Sequence, residues 1–233
     1  MTAPIECPSP NHGPRPDGIA VDILLLHYTG MKSGRAALDR LLDPEAKVSA
    51  HYMIDEDGTV YRLVDEARRA WHAGVSAWAG AGDVNGRSIG IELVNPGHEF
   101  GYRAFPEPQM AALVDLAKGV LQRHPIPAAR VLGHSDVAPT RKEDPGELFD
   151  WPRLARAGIG LWPDKAKPRA APIAEVQALL ARFGYDVPHS GALDDATKAV
   201  VIAFQRHFRP SRPDGNPDPE TVGRLDALIA RLD

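Results

Sequence analysis

The chain has a single cysteine, Cys7, among its 233 residues. One thiol cannot form an intramolecular disulfide, so the disulfide framework of a small secreted scaffold is excluded. One thiol also cannot supply the several thiolates of a cysteine-rich zinc site. Any metal site in this chain must therefore use histidine and carboxylate ligands.

Long basic runs and long apolar runs are missing as well. The net charge is −4, which gives no electrostatic basis for binding nucleic acid or an anionic membrane. No apolar run approaches the length of a membrane span. The N-terminal segment has neither the basic nor the apolar region of a signal peptide. The sequence predicts a cytoplasmic protein, with export by a route that the sequence does not show as the alternative.

The composition that remains is that of an ordinary globular protein, with 43% hydrophobic and 25% charged residues. Apolar segments at 21–26 and 88–94 predict strands buried on both faces, and 131–133 predicts a further strand. Asp55–Gly58 between two apolar segments predicts a hairpin. The apolar spacing over 106–124 predicts a helix. Together these elements predict an α/β fold, with a mixed central β-sheet flanked by helices.

Both ends of the chain differ from this middle part. Residues 1–20 are proline-rich without periodicity and predict an N-terminal extended arm, followed by a domain over 21–165. The polar, proline-punctuated segment 162–168 predicts a boundary. Beyond it, three amphipathic patterns predict a small C-terminal three-helix domain over 169–233 with its own core. Gly184 is expected to end the first helix, and Asp218 to cap the third.

Two histidines stand where apolar strands end, His27 and His134. Sites in α/β sheets gather beyond the carboxyl ends of the strands, although a lone histidine at a strand end is more often structural. Five other histidines lie in polar segments or near helix ends and are expected to be solvated. They are His12, His98, His124, His189 and His207.

Three further charged residues invite a functional interpretation. Glu92 lies inside an apolar strand, so it either faces solvent on a wet face or sits in a cleft with altered basicity. Lys142 and Asp144 are two residues apart and would point the same way in an extended segment. The alternative is a charged surface turn. Two histidines and one carboxylate, with one position left to water, form an ordinary catalytic zinc shell.

Six segments resemble the zinc-dependent N-acetylmuramoyl-L-alanine amidases of type 2, which share a fold with peptidoglycan recognition proteins. The segments are Leu25–Thr29, Val48–Tyr52, Ala70–Gly74, Ser88–Leu93, Gly133–Pro139 and Arg141–Gly146. They follow the order of the family across about residues 20–165. The C-terminal part resembles a peptidoglycan-binding domain in Val176–Leu180, Phe183–Tyr185 and Ala203–Pro210. The two-domain order is similar to that of AmiD-type amidases.

The resemblance implies a role for each matching residue. It makes His27, His134 and Asp144 the ligands of a zinc ion, Glu92 the general base and Lys142 the group that stabilises the oxyanion. The bond cut would be the amide between N-acetylmuramic acid, intact or in its 1,6-anhydro form, and L-alanine of the stem peptide. Substrate-binding roles are expected for His51, Trp71, His72 and Asn95, with a packing role for His51 as the alternative. Pro139 and Pro145 predict a loop after the strand 131–133, and Asp136 is expected to orient that loop without touching metal.

Several expectations follow from this resemblance. The partner is peptidoglycan or a muropeptide, and the protein is expected to be a monomer. The competing hypothesis is a peptidoglycan-binding protein without catalysis, which would lack the metal set. AmiD-type amidases are often lipid-anchored, and Cys7 has no apolar segment before it, so the envelope is only the alternative compartment. Removing residues 169–233 is expected to weaken binding to polymeric wall while sparing cleavage of soluble fragments.

Overall fold

The computed structural model of the chain describes residues 3–232. Met1 and Thr2 of the predicted arm, and Asp233 of the predicted C-terminal domain, lie outside the described residues. The strands are β1 (Ile5–Glu6), β2 (His12–Pro14), β3 (Ile23–Tyr28), β4 (Tyr52–Ile54), β5 (Val60–Arg62), β6 (Arg68–Ala70), β7 (Ser88–Leu93) and β8 (Val131–Gly133).

Helices lie between several of these strands and after the last of them. They are α1 (Gly34–Leu42), α2 (Val84–Arg87), α3 (Gly97–Phe100), α4 (Glu107–Arg123), α5 (His134–Val137), α6 (Trp151–Arg156), α7 (Ile173–Phe183), α8 (Asp195–Phe208) and α9 (Pro219–Ile229). Two short 3-10 helices cover Pro44–Ala46 and Ala128–Arg130. None of the helices within residues 3–232 combines the length and the hydropathy of a transmembrane span.

The main sheet has the order β1-β5-β4-β7-β3-β8. Its centre is parallel, because β3 pairs in parallel with both β7 and β8, and β4 pairs in parallel with β7. The predicted hairpin supplies the antiparallel part, since β4 and β5 pair in opposite directions. The prediction of a mixed sheet is confirmed.

Both faces of the central strands are buried, as continuous apolar runs predict. Leu24, Leu26 and the alternate residues of β7 face helix α4, which contributes Leu113 and Val120 to the same apolar cluster. Side chains alternate across a strand, so Ile23 and Leu25 point to the opposite face. His27 and Glu92 share that second face, and it carries the site.

The second face is covered by the C-terminal helices. Val176, Leu180 and Phe204 belong to one apolar cluster with Ile23 and Leu25 of the sheet. The sequence predicts a three-helix domain with its own core, and the helices are present. Their core is continuous with that of the sheet, because the amphipathic faces pack on the sheet as well as on each other. Gly184 ends α7 at a φ of 135°.

The N-terminal segment, which the sequence predicts to be an extended arm, contains two short strands that pair with the body of the protein. Strand β1 pairs with β5, and β2 pairs with β6. Asn11 is only 2% exposed, and its side-chain amide donates to the carbonyl oxygens of Asp43 and Val48. Arg15 donates to the carbonyl oxygens of Glu66 and Ser88. Strand pairing and side-chain hydrogen bonds to the backbone thus hold the arm against the rest of the protein.

The segment after β8 also differs from its prediction. The prolines at 139 and 145 favour a loop, yet His134–Val137 forms one helical turn before the first of them. Pro139 follows that turn and does not interrupt it. A short helix therefore carries His134, and an irregular segment carries Lys142 and Asp144.

Candidate active site

Three adjacent strands deliver the site residues to one edge of the sheet. His27 of β3 is in register with Glu92 of β7. On the other side of β3, Leu26 is in register with Gly133, so His134 emerges next to His27. Because residues in register on parallel strands project from the same face, the three side chains converge beyond the carboxyl ends of the strands.

The side chains of His27, His134 and Asp144 form a buried cluster. The Nδ1 atoms of the two histidines are 3.0 Å apart. Asp144 Oδ2 lies 3.1 Å from His27 Nδ1 and 3.0 Å from His134 Nδ1. The Ser135 backbone N–H donates to the Asp144 carbonyl oxygen at 2.9 Å, which ties the two ends of the loop together.

Hydrogen bonds behind His27 determine where its proton lies. The Ser88 hydroxyl donates to the Val84 carbonyl oxygen at 2.6 Å, so its oxygen accepts from His72 Nε2–H at 3.3 Å. His72 Nδ1 is then an acceptor, and His27 Nε2–H donates a hydrogen bond to it at 3.0 Å. His27 Nδ1 is left with a free lone pair that points into the cluster.

His134 also directs the lone pair of its Nδ1 atom into the cluster. Its Nε2–H donates to the Ala73 carbonyl oxygen at 3.0 Å, which leaves the Nδ1 lone pair facing His27 and Asp144. Burial, followed by the neighbouring His134, lowers the pKa of His27 to about 4, so its ring is neutral at pH 7.

The cluster therefore contains three acceptors and no proton between them. Three lone pairs about 3 Å apart repel one another unless a cation lies among them. The ligand atoms all lie within 4.8 Å of one another, close enough to share one metal ion. Two imidazoles and one carboxylate match the donor set of a catalytic zinc site, in which a fourth position stays open. The residues fit a metal.

Glu92 faces the same cavity as the cluster. Its Oε2 atom is buried without a hydrogen-bond partner among the described residues. Burial, reinforced by the negative charge of Asp144, raises the pKa of Glu92 well above its ordinary value. Of the two interpretations left open by the sequence, the structure favours a carboxylate in a cleft over one on a wet strand face.

Lys142 lines the cavity together with the neighbouring Arg141. The Lys142 backbone N–H donates to the Ala138 carbonyl oxygen at 3.0 Å, which anchors its backbone to the end of α5. Arg141 Nη2 donates to the Ala73 carbonyl oxygen at 2.9 Å, the same oxygen that accepts from His134. Lys142 and Asp144 both line the cavity, and so does Glu143 between them.

The cavity has a volume of about 450 Å³ and is open to solvent on one side. Besides the residues above, its lining includes Tyr28, Met31, Arg40, Trp71, His72, His98, Glu99 and Glu143. The structure thus places Trp71 and His72 at the cavity, as expected for substrate contacts. His72 also packs on β7, where a Cβ added at Gly90 would lie 2.6 Å from its ring. Only glycine fits there.

The structure corrects the expectation that His51 and Asn95 contact substrate. Both are fully buried and neither lines the cavity. His51 Nδ1 accepts from the Gly90 N–H at 2.9 Å, and burial lowers the pKa of His51 to about 3. Asn95 donates to the Arg103 carbonyl oxygen at 2.7 Å and accepts from the Gly97 N–H at 3.0 Å. Both side chains hold backbone in place. For His51, this agrees with the packing role that the sequence left open as the alternative to substrate binding.

Three cavity residues carry little signal in the sequence. Tyr28 directly follows His27, and Arg141 sits in what resembles a surface charge run. His98, expected to be solvated, stacks on Tyr102 with ring centroids 4.3 Å apart. Its Nδ1 lies 3.0 Å from the Tyr28 hydroxyl. The one sequence feature that could have indicated this is its position directly after Asn95–Gly97, the segment that ends β7.

Two other histidines expected to be solvated are instead engaged. His124 Nε2 lies 2.9 Å from Glu66 Oε2. His207 is 3% exposed, and its Nδ1–H donates to Asp136 Oδ2 at 2.7 Å. Asp136 stays out of the cluster, as expected, and accepts the Gly133 N–H at 2.7 Å, which closes the first turn of α5.

Comparison with known protein families gives two matches. Residues 17–147 match the family model described as N-acetylmuramoyl-L-alanine amidase. Residues 169–225 match the model of a peptidoglycan binding domain.

Curated relatives and solved structures agree with these matches. The N-acetylmuramoyl-L-alanine amidase AmiD of Escherichia coli is 37% identical, over 91% of this chain and 83% of AmiD. The 1,6-anhydro-N-acetylmuramyl-L-alanine amidase AmpD of Escherichia coli is 34% identical, over 63% of this chain and 87% of AmpD. AmiD from E. coli in complex with anhydro-N-acetylmuramic acid-L-Ala-D-gamma-Glu-L-Lys superposes with a TM-score of 0.82 at 36% identity, covering 93% and 92% of the two chains.

Proposed function

Because this chain belongs to the N-acetylmuramoyl-L-alanine amidase family, we propose that it is a zinc-dependent amidase acting on muropeptides or peptidoglycan. The scissile bond would be the amide between N-acetylmuramic acid, or its 1,6-anhydro form, and L-alanine of the stem peptide. One observation carries the proposal: the buried cluster of His27, His134 and Asp144 opens into the cavity that Glu92 and Lys142 also line.

His27, His134 and Asp144 would hold the zinc ion through two Nδ1 atoms and Oδ2. When bound, zinc supplies Lewis-acid polarisation of the carbonyl oxygen and makes water a stronger acid. The histidines need no proton loss to bind it, because each has already committed its Nε2–H elsewhere. Preorganised ligands of this kind lower the cost of closing the site around a cation.

Glu92 is the proposed general base. Its raised pKa makes the carboxylate a better proton acceptor than an ordinary glutamate, and general base catalysis of this kind contributes about 10²–10⁴-fold in rate. Its buried Oε2 has no hydrogen-bond partner among residues 3–232 and is free to receive a proton from water. The same carboxyl would then deliver the proton to the departing amine of L-alanine.

Lys142 is the proposed electrophilic group. Its side chain lines the cavity on the same loop as Asp144. A fixed ammonium group stabilises the negative charge that develops on the carbonyl oxygen during attack by water. Trp71 and His72 would border the substrate, and His72 also sets the proton position of His27.

Residues 169–233 are proposed to bind polymeric peptidoglycan, and residues 21–165 to carry catalysis. The matches at 17–147 and 169–225 support this division. The names of the relatives support the substrate class, since AmpD is described by its 1,6-anhydro substrate and the AmiD structure holds an anhydromuramic acid tripeptide. The compartment stays a sequence prediction, cytoplasm with the envelope as the alternative, and cell fractionation distinguishes the two.

The test is metal analysis together with cleavage of muropeptides. We expect one zinc per chain and release of free stem peptide from intact or anhydromuramic muropeptides, detected by chromatography and mass spectrometry. Chelator should abolish release, and added zinc should restore it. A purified chain that holds no metal and only binds muropeptides would support the non-catalytic hypothesis instead.

A further inference from the structure

The last turn of helix α8 touches the segment that carries two of the three proposed zinc ligands, His134 and Asp144, here called the ligand loop (residues 134–144). Two consecutive residues make the contacts. His207 Nδ1–H donates to Asp136 Oδ2 at 2.7 Å, near the start of the loop. Arg206 Nη2 donates to Glu143 Oε1 at 2.7 Å, near its end. The contacted residues lie two positions after His134 and one position before Asp144.

A second element reaches the same carboxylate. The hydroxyl of Tyr185, just beyond α7, donates to Asp136 Oδ1 at 2.6 Å. Asp136 is 1% exposed and Tyr185 is 3% exposed, so the bond is shielded from water. The His207 ring is held by stacking on Trp151, with centroids 3.6 Å apart. Both oxygens of Asp136 therefore receive a hydrogen bond from the C-terminal helical region.

These contacts are more than packing. The apolar cluster shared by the helices and the sheet already attaches them to each other. A buried carboxylate costs stability unless it is fully hydrogen-bonded, so Asp136 constrains Tyr185 and His207 to one arrangement. Asp136 also accepts the Gly133 N–H, which fixes the turn that presents His134. The chain of contacts runs from the helices, through Asp136, to a proposed ligand.

We infer that the C-terminal helices position the zinc ligands in addition to any role in wall binding. Tyr185 and His207 act through Asp136 on His134, and Arg206 acts through Glu143 on Asp144. All three are positioning residues, since they touch neither the cluster nor the substrate cavity. The inference rests on the proposed zinc amidase function. It adds that metal affinity depends on residues of the region that matches a peptidoglycan binding domain.

The physical effect is preorganisation. A ligand loop held from both ends does not need to be ordered when zinc binds, so less binding free energy is spent on ordering it. Loss of one partner leaves an oxygen of Asp136 buried without a hydrogen bond. The turn that presents His134 is then expected to shift so that this oxygen finds another donor. Outer-shell contacts of metal ligands are typically worth about 10–100-fold in affinity. Tyr185 lies one residue further out, so we expect about 3–30-fold.

The experiment compares variants of the full chain in a zinc competition assay with a chromophoric chelator. Tyr185→Phe removes one hydroxyl from Asp136. Tyr52→Phe is the matched control, because the Tyr52 hydroxyl donates to Glu66 at 2.8 Å, a bond of the same kind remote from the ligand loop. We expect weaker zinc binding and a lower kcat on soluble muropeptide for Tyr185→Phe, with KM nearly unchanged, and parent-like values for Tyr52→Phe.

Arg206→Met keeps the inference testable if Tyr185→Phe folds poorly. Its partner Glu143 is half exposed, so the substitution should leave thermal unfolding close to that of the parent. Weaker zinc binding in this variant would support the inference. Parent-like zinc affinity in both Tyr185→Phe and Arg206→Met would overturn it, while zinc binding and cleavage by the parent would leave the proposed function intact. A parent that binds no zinc would overturn the proposed function itself.

Discussion

In both proposed histidine ligands, the position of the ring proton leaves Nδ1 free to bind a cation. His27 and His134 both direct Nε2–H away from the cluster, one to His72 and the other to a backbone carbonyl oxygen. Neutral imidazoles with fixed tautomers are the form in which histidine binds metal. The arrangement therefore depends on His72, a residue that does not itself belong to the cluster.

Replacing His72 with phenylalanine tests this dependence. Phenylalanine keeps a planar ring over Gly90 but removes the acceptor of His27 Nε2–H. We expect zinc affinity to fall about 10–100-fold, because outer-shell partners of ligating histidines contribute about that much. Chelator competition measures the effect. Trp71→Phe, one residue earlier in the same cavity wall, serves as the control, and an equal loss in both variants would contradict a specific role for His72.

The Glu92→Gln variant tests the proposed base. Glutamine keeps the size of the side chain and removes its ability to take a proton. We expect zinc to be retained, and kcat on soluble muropeptide to fall by about 10²–10⁴-fold. Turnover and metal content are measured on the same sample. Glu99→Gln, which changes another glutamate in the cavity lining, should cost at most a few-fold. Parent-like turnover by Glu92→Gln would exclude this role.

At the scale of secondary structure, the register of β7, β3 and β8 determines which residues meet. A shift of one residue in β7 would place Ile91 opposite His27 and turn Glu92 toward helix α4. The alternation within β7, in which Ile89, Ile91 and Leu93 share one face, disfavours such a shift, since it would bury Glu92 among the residues that pack on α4. Hydrophobic patterning thus specifies the active-site geometry indirectly.

Glu66 connects the hairpin region to the end of helix α4, and its titration can be tested. Tyr52, Arg123 and His124 donate hydrogen bonds to its carboxylate. Burial alone would raise the pKa of Glu66, but these donors outweigh it and lower the pKa from 4.5 to about 2. A lowered folded-state pKa adds stability above the unfolded value, and this contribution is lost as the pH falls from 4.5 toward 2.

We therefore expect Glu66→Gln to lose stability at pH 6–7, by about 1 kcal/mol because solvent screens the exposed Arg123. The difference from the parent should shrink as the pH falls toward 2. Thermal unfolding followed by circular dichroism across this pH range measures it. Glu45→Gln, at an exposed position, is the control and should show no such pH dependence. A constant difference from pH 7 to pH 2 would contradict the linkage to Glu66.

At the scale of the whole molecule, the sheet and the C-terminal helices share one apolar core. Trp78, on the segment between β6 and α2, packs against Phe183 and Tyr185 with centroids 5.9 Å and 4.9 Å apart. A Cβ at Gly184 would lie 2.6 Å from the Trp78 ring, so the approach requires glycine. Arg231 donates to the Trp162 carbonyl oxygen at 2.8 Å, which fastens the connecting segment.

A shared core predicts cooperative unfolding of the whole chain. We expect a single calorimetric transition, with the calorimetric enthalpy equal to the van't Hoff enthalpy. Loss of near-UV signal from the tryptophans and loss of helical signal should coincide. Two resolved transitions would show that the C-terminal helices are an independent unit, as the amphipathic patterns alone suggest.

Removal of residues 169–233 should consequently do more than weaken wall binding. It would expose Leu25, Trp78 and Leu132 of the shared core and remove two partners of Asp136, Tyr185 and His207. We expect a chain that binds a hydrophobic dye, holds zinc weakly and cleaves soluble muropeptide poorly. The sequence alone predicts the opposite, that the truncated chain still cleaves soluble fragments. Parent-like cleavage of soluble fragments by the truncated chain would support that prediction.

The sequence by itself determined the elements and the chemistry available to them. Apolar periodicity identifies β3, β7, helix α4 and the three C-terminal helices, because it reports local structure and burial directly. The strand-end positions of His27 and His134 and the misplaced charge of Glu92 mark the site. The segments that resemble the amidases assign the roles proposed for these residues.

Only the tertiary structure decided how residues far apart in the chain share an environment. His207 and His51 look like ordinary histidines, yet each is buried with partners that periodicity cannot reveal, such as Asp136 for His207. The same holds for the shared core, since an amphipathic helix does not specify which surface will cover it. Burial and hydrogen bonding across long sequence separations depend on packing, and packing is settled only when the whole chain is folded.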